Sequence, residues 1–139
     1  MTTALRNLLA IVLGFFVGSA INMALITIGP MIIPPPDGMT EAVDMETLAA
    51  SMHLFRPQHF IFPFLAHALG TFVGAFCAYF IAVSRKARMS YIVGSLFLFG
   101  GLWVATQLPS PMWFDALDLS LAYLPMAALA VMAARKVTN

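Results

Sequence analysis

The sequence is short of charge. Only 9% of its 139 residues are Asp, Glu, Lys or Arg, against roughly 25% in a soluble domain. So few charges cannot cover a water-soluble surface. With 61% hydrophobic residues and a mean hydropathy of +0.91, the medium that suits the chain is lipid. Cysteine is nearly absent. Cys77 stands alone in an apolar run, which excludes an intrachain disulfide and the paired-thiol chemistry of membrane disulfide carriers. Three histidines are too few for a membrane di-iron desaturase. HExxH, GxSxG, P-loop and GxGxxG sequences are missing, and with them the common hydrolase, nucleotide and dinucleotide signatures. No basic patch exceeds Arg85, Lys86 and Arg88, so nucleic acid is not an expected partner. No cofactor is expected, and the length suits a single domain, 1–139.

The charge that is present is partitioned. Arg6, Arg85, Lys86, Arg88, Arg135 and Lys136 lie before the first apolar run, between the second and third, and after the last. Asp37, Glu41, Asp44, Glu46, Asp115 and Asp118 all fall in or beside the other two connections, where Arg56 is the only basic residue. Basic loops stay on the cytoplasmic side during insertion. The expected arrangement is an all-α, antiparallel bundle of four transmembrane helices in a cell inner (cytoplasmic) membrane. Both termini are then cytoplasmic, and the first and third loops are external. Arg6, the apolar Leu8–Val17 and Ser19-Ala20 resemble a signal peptide, but apolar character continues to Ile33, which favours a retained helix.

The expected helices cover about 8–28, 63–83, 90–108 and 115–134. Gly29-Pro30 and Pro34-Pro35-Pro36 should end the first, since proline cannot continue the hydrogen-bond ladder. An outer loop, 29–62, follows. Within it, residues near 40–55 read as a short amphipathic helix: Val43, Leu48, Met52 and Phe55 fall near helical spacing, and Glu41, Asp44 and Glu46 suit the first turns. Pro63 suits a first turn, Ser90 an N-cap, and Asp115 or Asp118 the cap of the last helix. Pro125 should kink that helix and free the Leu121 carbonyl. Phe55, Phe60, Phe62 and Phe64 read as an aromatic belt beside Trp113, and Arg56 should pair with an outer acid.

Small residues recur every fourth place: Ala66, Gly70, Gly74, Ala78 and Ala82 in the second helix, Ala10, Gly14 and Gly18 in the first. Lipid offers little hydrophobic drive for helix association, so such ridges mark close backbone packing. Intramolecular packing is the favoured use of Gly14, Gly18, Gly70 and Gly74, and a subunit interface is the alternative. The match between Leu13–Gly18 (LGFFVG) and Leu69–Gly74 (LGTFVG) reads as convergent packing rather than as an inverted duplication.

The stronger polar groups gather toward one face: Asn22, His67, Gln107, Asp115, Asp118 and Tyr123. His67 is the sharpest of them, because an ionisable side chain inside a membrane helix usually faces the protein interior. Asp118 or Asp115 would fix its tautomer. Either a structural cross-link or a ligand-binding site is compatible with that pattern. His53, His59 and His67 also suggest a metal site, but their spacings cross Arg56-Pro57 and place them on no common helix face. The leading expectation is a non-catalytic membrane protein that self-associates or joins another membrane protein, with an outward polar pocket for a small molecule or lipid. The alternatives are a small transporter or channel working through His67, and an enzyme that modifies a lipid headgroup.

Overall fold

The computed structural model describes residues 2–39 and 44–138. Among them there is no strand. Four helical segments are long and apolar enough to cross a membrane: Thr3–Ile32, Pro57–Ile81, Lys86–Gln107 and Met112–Thr138. They are the mark of a multi-pass membrane protein.

Helix α1 (Thr3–Ile32) starts at Thr2, whose hydroxyl accepts the Leu5 N–H, and runs longer than 8–28 at both ends. Pro30 lies inside α1 rather than ending it. The lost N–H leaves only the Ile26 carbonyl without its helical partner, and the Ile33 N–H closes on the Gly29 carbonyl to finish the turn. At ~1.5 Å per residue, a helix of this length exceeds a hydrocarbon core of ~30 Å.

The outer loop carries less regular helix than the sequence suggested. Residues 40–43 of the expected 40–55 helix, with Glu41 and Val43, lie outside the described residues. Helix α2 is Met45–Ser51, followed by 3-10 turns at Met52–Leu54 and Pro57–Phe60. Asp44 caps α2: its carboxylate accepts the Thr47 N–H, and the Thr47 hydroxyl accepts the Asp44 N–H. Phe55 is extended and breaks the run before Pro57, as a residue close before proline tends to do. Of the phenylalanines expected as a belt, three belong to one packed cluster. Phe60 is buried with Met52 and Phe114, and Phe55 and Phe64 pack on that cluster. Arg56 makes no ion pair among the described residues; its backbone N–H donates to His59 Nδ1.

Helix α3 (Ile61–Ile81) packs antiparallel against α1 along the small-residue ridges. A Cβ on Gly14 would lie 2.6 Å from the Gly74 carbonyl oxygen, and one on Gly18 would lie 2.5 Å from that of Gly70. Backbone meets backbone there, which only glycine permits. At the far end of this pair Asn7 caps the turn that follows α3. Its Oδ1 accepts the Val83 and Ser84 N–H groups at 3.1 and 3.4 Å, and its Nδ2 donates to Ser84 Oγ.

Helix α4 (Lys86–Gln107) begins before Ser90, so Ser90 is no cap. Its hydroxyl is buried and donates across to the Ala75 carbonyl at 2.8 Å, tying α4 to α3. The last segment is two helices, α5 (Met112–Leu121) and α6 (Leu124–Thr138), broken at Ala122-Tyr123 just before Pro125. Neither acid caps it. Asp115 is in the first turn and accepts the Ser110 hydroxyl, while Asp118 is a buried interior residue. Gly94 packs on Ala127, and Gly101 lies against the Tyr123 hydroxyl, which holds α4 to this segment.

Candidate functional site

The helix break at Ala122-Tyr123 turns Tyr123 into the bundle, where only 1% of it is exposed. Asp118 precedes the break by one turn and is itself 4% exposed. Bare burial of a carboxylate in apolar surroundings costs several kcal/mol or more (on the order of) unless hydrogen-bond partners are supplied. Two are supplied. The Tyr123 hydroxyl donates to Asp118 Oδ2 at 2.8 Å, and His67 Nδ1 lies 2.9 Å from both carboxylate oxygens. His67 arrives from the second turn of α3, and its ring stacks on that of Tyr123 at 5.7 Å. Asp118 thereby orients the imidazole: Nδ1 is engaged, and Nε2 has no protein partner among the described residues.

His67 sits in the wall of a cavity of about 480 Å³. The sides are the α1 end at Ile26, Gly29 and Ile33, the α4 end at Val104 and Leu108, and α5 at Phe114 and Leu119. The segment between α1 and α3 forms the roof through Met45, Leu48 and Met52. Gly29 allows the side wall to close, since a Cβ there would meet the Phe62 side chain at 2.6 Å. The lining is mainly apolar, with His67, Asp115, Asp118, Ser110, His59 and Gln58 as its polar points. An apolar chamber with a few convergent polar groups suits a lipid-soluble molecule. Below His67 the bundle is filled by small and close-packed residues, among them Thr71, Ala75, Ala78, Ser90 and Val93, all buried.

The six expected pocket residues are distributed as follows. His67, Asp118 and Tyr123 form one hydrogen-bonded group. Asp115 lines the cavity but is tied to Ser110. Asn22 lines a second, smaller crevice between α1 and α4 that also reaches His67. Gln107 is exposed, donates to the Thr106 hydroxyl and lines neither space. The three histidines do not converge. His53 Nδ1 lies 2.8 Å from the Ala50 carbonyl, His59 Nδ1 accepts the Arg56 N–H, and His67 faces Asp118. Among the described residues no three His, Cys, Asp or Glu side chains gather as a metal would need. Sequence reasoning did not single out the roof residues Met45 and Leu48 or the wall residues Ile26 and Val104 as site residues. Being apolar, they carry no signal distinct from that of any membrane helix.

Comparison with known protein families gives no match, and neither curated proteins nor solved structures provide one.

Proposed function

We propose that this multi-pass membrane protein is a non-catalytic binding protein that holds one lipid-soluble, amphiphilic molecule beneath its outer loop. The observation that carries the reading is the pairing of an apolar cavity of about 480 Å³ with an imidazole in its wall, that of His67, held by a buried carboxylate. The apolar lining takes the tail, and His67 Nε2 meets the polar group. Asp118 and Tyr123 serve as positioning residues, because both act through the imidazole. The cavity volume is within the range of small-molecule sites, ~300–1,000 Å³.

The division of basic and acidic residues supports an inner-membrane placement with both termini cytoplasmic and the roof outside. Cysteine accessibility at Ser84 and Asp37 from the two sides tests it. Self-association or docking to another membrane protein fits the broad lipid-facing surface of α1, but its glycine ridge is already engaged by α3. A transporter reading is less well supported, since the buried Thr71, Ala75, Ser90 and Val93 fill the bundle below His67. The enzyme reading draws on one specific observation: an imidazole oriented by a carboxylate is also the geometry of a general base. It requires a converted headgroup, which mass spectrometry of lipids incubated with the purified protein would detect.

The test of the binding reading is organic extraction and mass spectrometry of the protein purified from membranes. Two variants are compared with the parent: His67→Ala, and Ala105→Trp, which fills the cavity from α4. Both should lose a co-purifying lipophile that the parent retains. If His67→Ala lowers thermal stability yet keeps the same bound molecule, His67 is a structural cross-link and the reading fails.

A further inference from the structure

The second crevice opens between α1 and α4 and has a volume of about 300 Å³. Ser19, Asn22 and Met23 line it from α1, Phe97 and Gly100 from α4, and His67 stands at its back. Its depth can be placed. A Cβ on Gly70 would lie 3.0 Å from Asn22 Cβ, and Gly70 is the tenth of the 21 residues of α3. Asn22 is therefore level with the middle of α3, more than two turns from either end of that helix.

Asn22 is half-buried, and neither its carboxamide nor the Ser19 hydroxyl hydrogen-bonds to any described residue. The carboxamide carries donors and an acceptor, and in hydrocarbon there is no bulk water to satisfy them. His67 also lines the crevice, and its Nε2 is likewise without a protein partner among the described residues. Ser19, Asn22 and His67 thus offer polar groups to one recess between α1 and α4. No Lys or Arg lines it, so an anionic headgroup would find neither to pair with. An ordinary phospholipid also keeps its polar groups at the surface. A molecule that suits this recess brings a neutral hydroxyl or carbonyl into the hydrocarbon core.

We infer that the α1–α4 crevice is a bilayer-side binding site for the hydroxyl or carbonyl group of a neutral lipid-soluble molecule, with Asn22 as its hydrogen-bond partner. The crevice shares His67, Gly101 and Val104 with the larger cavity, so the two sites are neighbours across these residues. The inference rests on the cavity reading only through these shared residues.

Photolabelling of the protein in phosphatidylcholine liposomes tests it. The probe is a diazirine-bearing hexadecan-1-ol, with a diazirine-bearing phosphatidylcholine for comparison. The alcohol should label the peptides around Asn22 and Gly100 saturably, and unlabelled hexadecan-1-ol should compete. Asn22→Leu should reduce that labelling about fivefold, the effect of one neutral hydrogen bond. Gly100→Leu should block it by filling the crevice, since a Cβ at Gly100 meets nothing within 4 Å. Labelling by the phosphatidylcholine probe should not depend on Asn22. Unchanged alcohol labelling in both variants overturns the inference, as does equal Asn22 dependence of the phosphatidylcholine probe. So does an interchain disulfide from Met23→Cys in a Cys77→Ser background, which would show a second copy covering the crevice. The cavity reading fails separately, if loop-one peptides stay unlabelled and Ala105→Trp has no effect while the Asn22 dependence persists.

Discussion

Gly74→Ala is the sharpest test of how the bundle is held. The added methyl would lie 2.7 Å from the Gly14 carbonyl oxygen and 3.3 Å from Gly18 Cα, both backbone atoms that no rotamer change can move. Ordinary van der Waals contact needs about 3.5 Å, so α1 and α3 must separate locally by on the order of 0.5–1 Å. Overpacking of this kind costs about 1–3 kcal/mol. The helix-propensity gain of Gly→Ala, about 1 kcal/mol, offsets part of it. The net expectation is a loss of about 0–2 kcal/mol. Gly100→Ala supplies the control, because its Cβ meets nothing within 4 Å and only the propensity gain of up to about 1 kcal/mol remains. Reversible unfolding in mixed micelles measures both. Gly14→Ala should cost a similar amount, and the double variant Gly14→Ala/Gly74→Ala less than the sum, since a pair of helices already pushed apart accommodates the second methyl. Equal stability of Gly74→Ala and Gly100→Ala would refute the packing argument. A loss that depends on protein concentration would move the ridge from the inside of one chain to an interface between copies.

Ser90→Ala should destabilise the fold by about 1 kcal/mol, because the buried hydroxyl satisfies the Ala75 carbonyl across the α3–α4 contact; thermal unfolding in detergent reads it. Asn7→Ala should cost about 1 kcal/mol or somewhat more, and should raise amide exchange at Val83 and Ser84, whose N–H groups both lose their acceptor. Asp44 gives a pH prediction. Hydrogen bonds from the Thr47 N–H and hydroxyl hold its carboxyl below the ordinary 3.8. A folded value lowered in this way stabilises α2 at pH above 3.8 and loses that contribution as the pH falls through the lower folded value. Exchange of the Thr47 and Leu48 amides should therefore accelerate in that acid window and become insensitive to it in Asp44→Ala; a pH-independent parent would count against the cap.

Much of the architecture was legible because lipid makes simple demands. Four apolar runs and two ridges of glycine and alanine are visible in the sequence, and the ridges meet each other in register, Gly14 with Gly74 and Gly18 with Gly70. The helix ends were less legible. Proline is read as a stop, yet Pro30 forfeits only one ladder bond so near the end of α1 that the helix continues to Ile32. Ser90 stands just after the charged Arg85, Lys86 and Arg88 and so resembles a cap, while α4 begins among those charges at Lys86. Asp115 and Asp118 resemble caps because each stands at the start of an apolar run. What separates them is tertiary: Asp118 lies one turn deeper, on the face turned toward His67, 51 residues away in sequence. The cavity wall was not legible at all, since Ile26, Val104 and Leu108 differ in nothing but position from leucines and valines that face lipid.

The polar residues gather at one end of the bundle for a reason that the packing makes visible. At the other end, small side chains let α1, α3, α4 and α6 close on one another, with Ala10, Ala78, Ala82, Ala130 and Ala134 buried. Toward the loop after α1, larger residues such as Phe60, Phe114 and Met52 pack together. Side chains of that size leave volume beside them, and volume in a membrane bundle is stable only if it is lined by side chains that tolerate what fills it. The break before Pro125 supplies the remaining step. It turns Tyr123 inward beneath the cavity floor and brings Asp118 within 2.9 Å of His67. The hydrogen-bonded group therefore sits where close packing stops and the chamber begins. Replacing Pro125 with Ala should restore a continuous helix there, withdraw Tyr123 from Asp118 and loosen the imidazole, an effect visible as a shift in the His67 ring resonances. A Pro125→Ala protein whose His67 resonances match those of the parent would show that the break does not place the group.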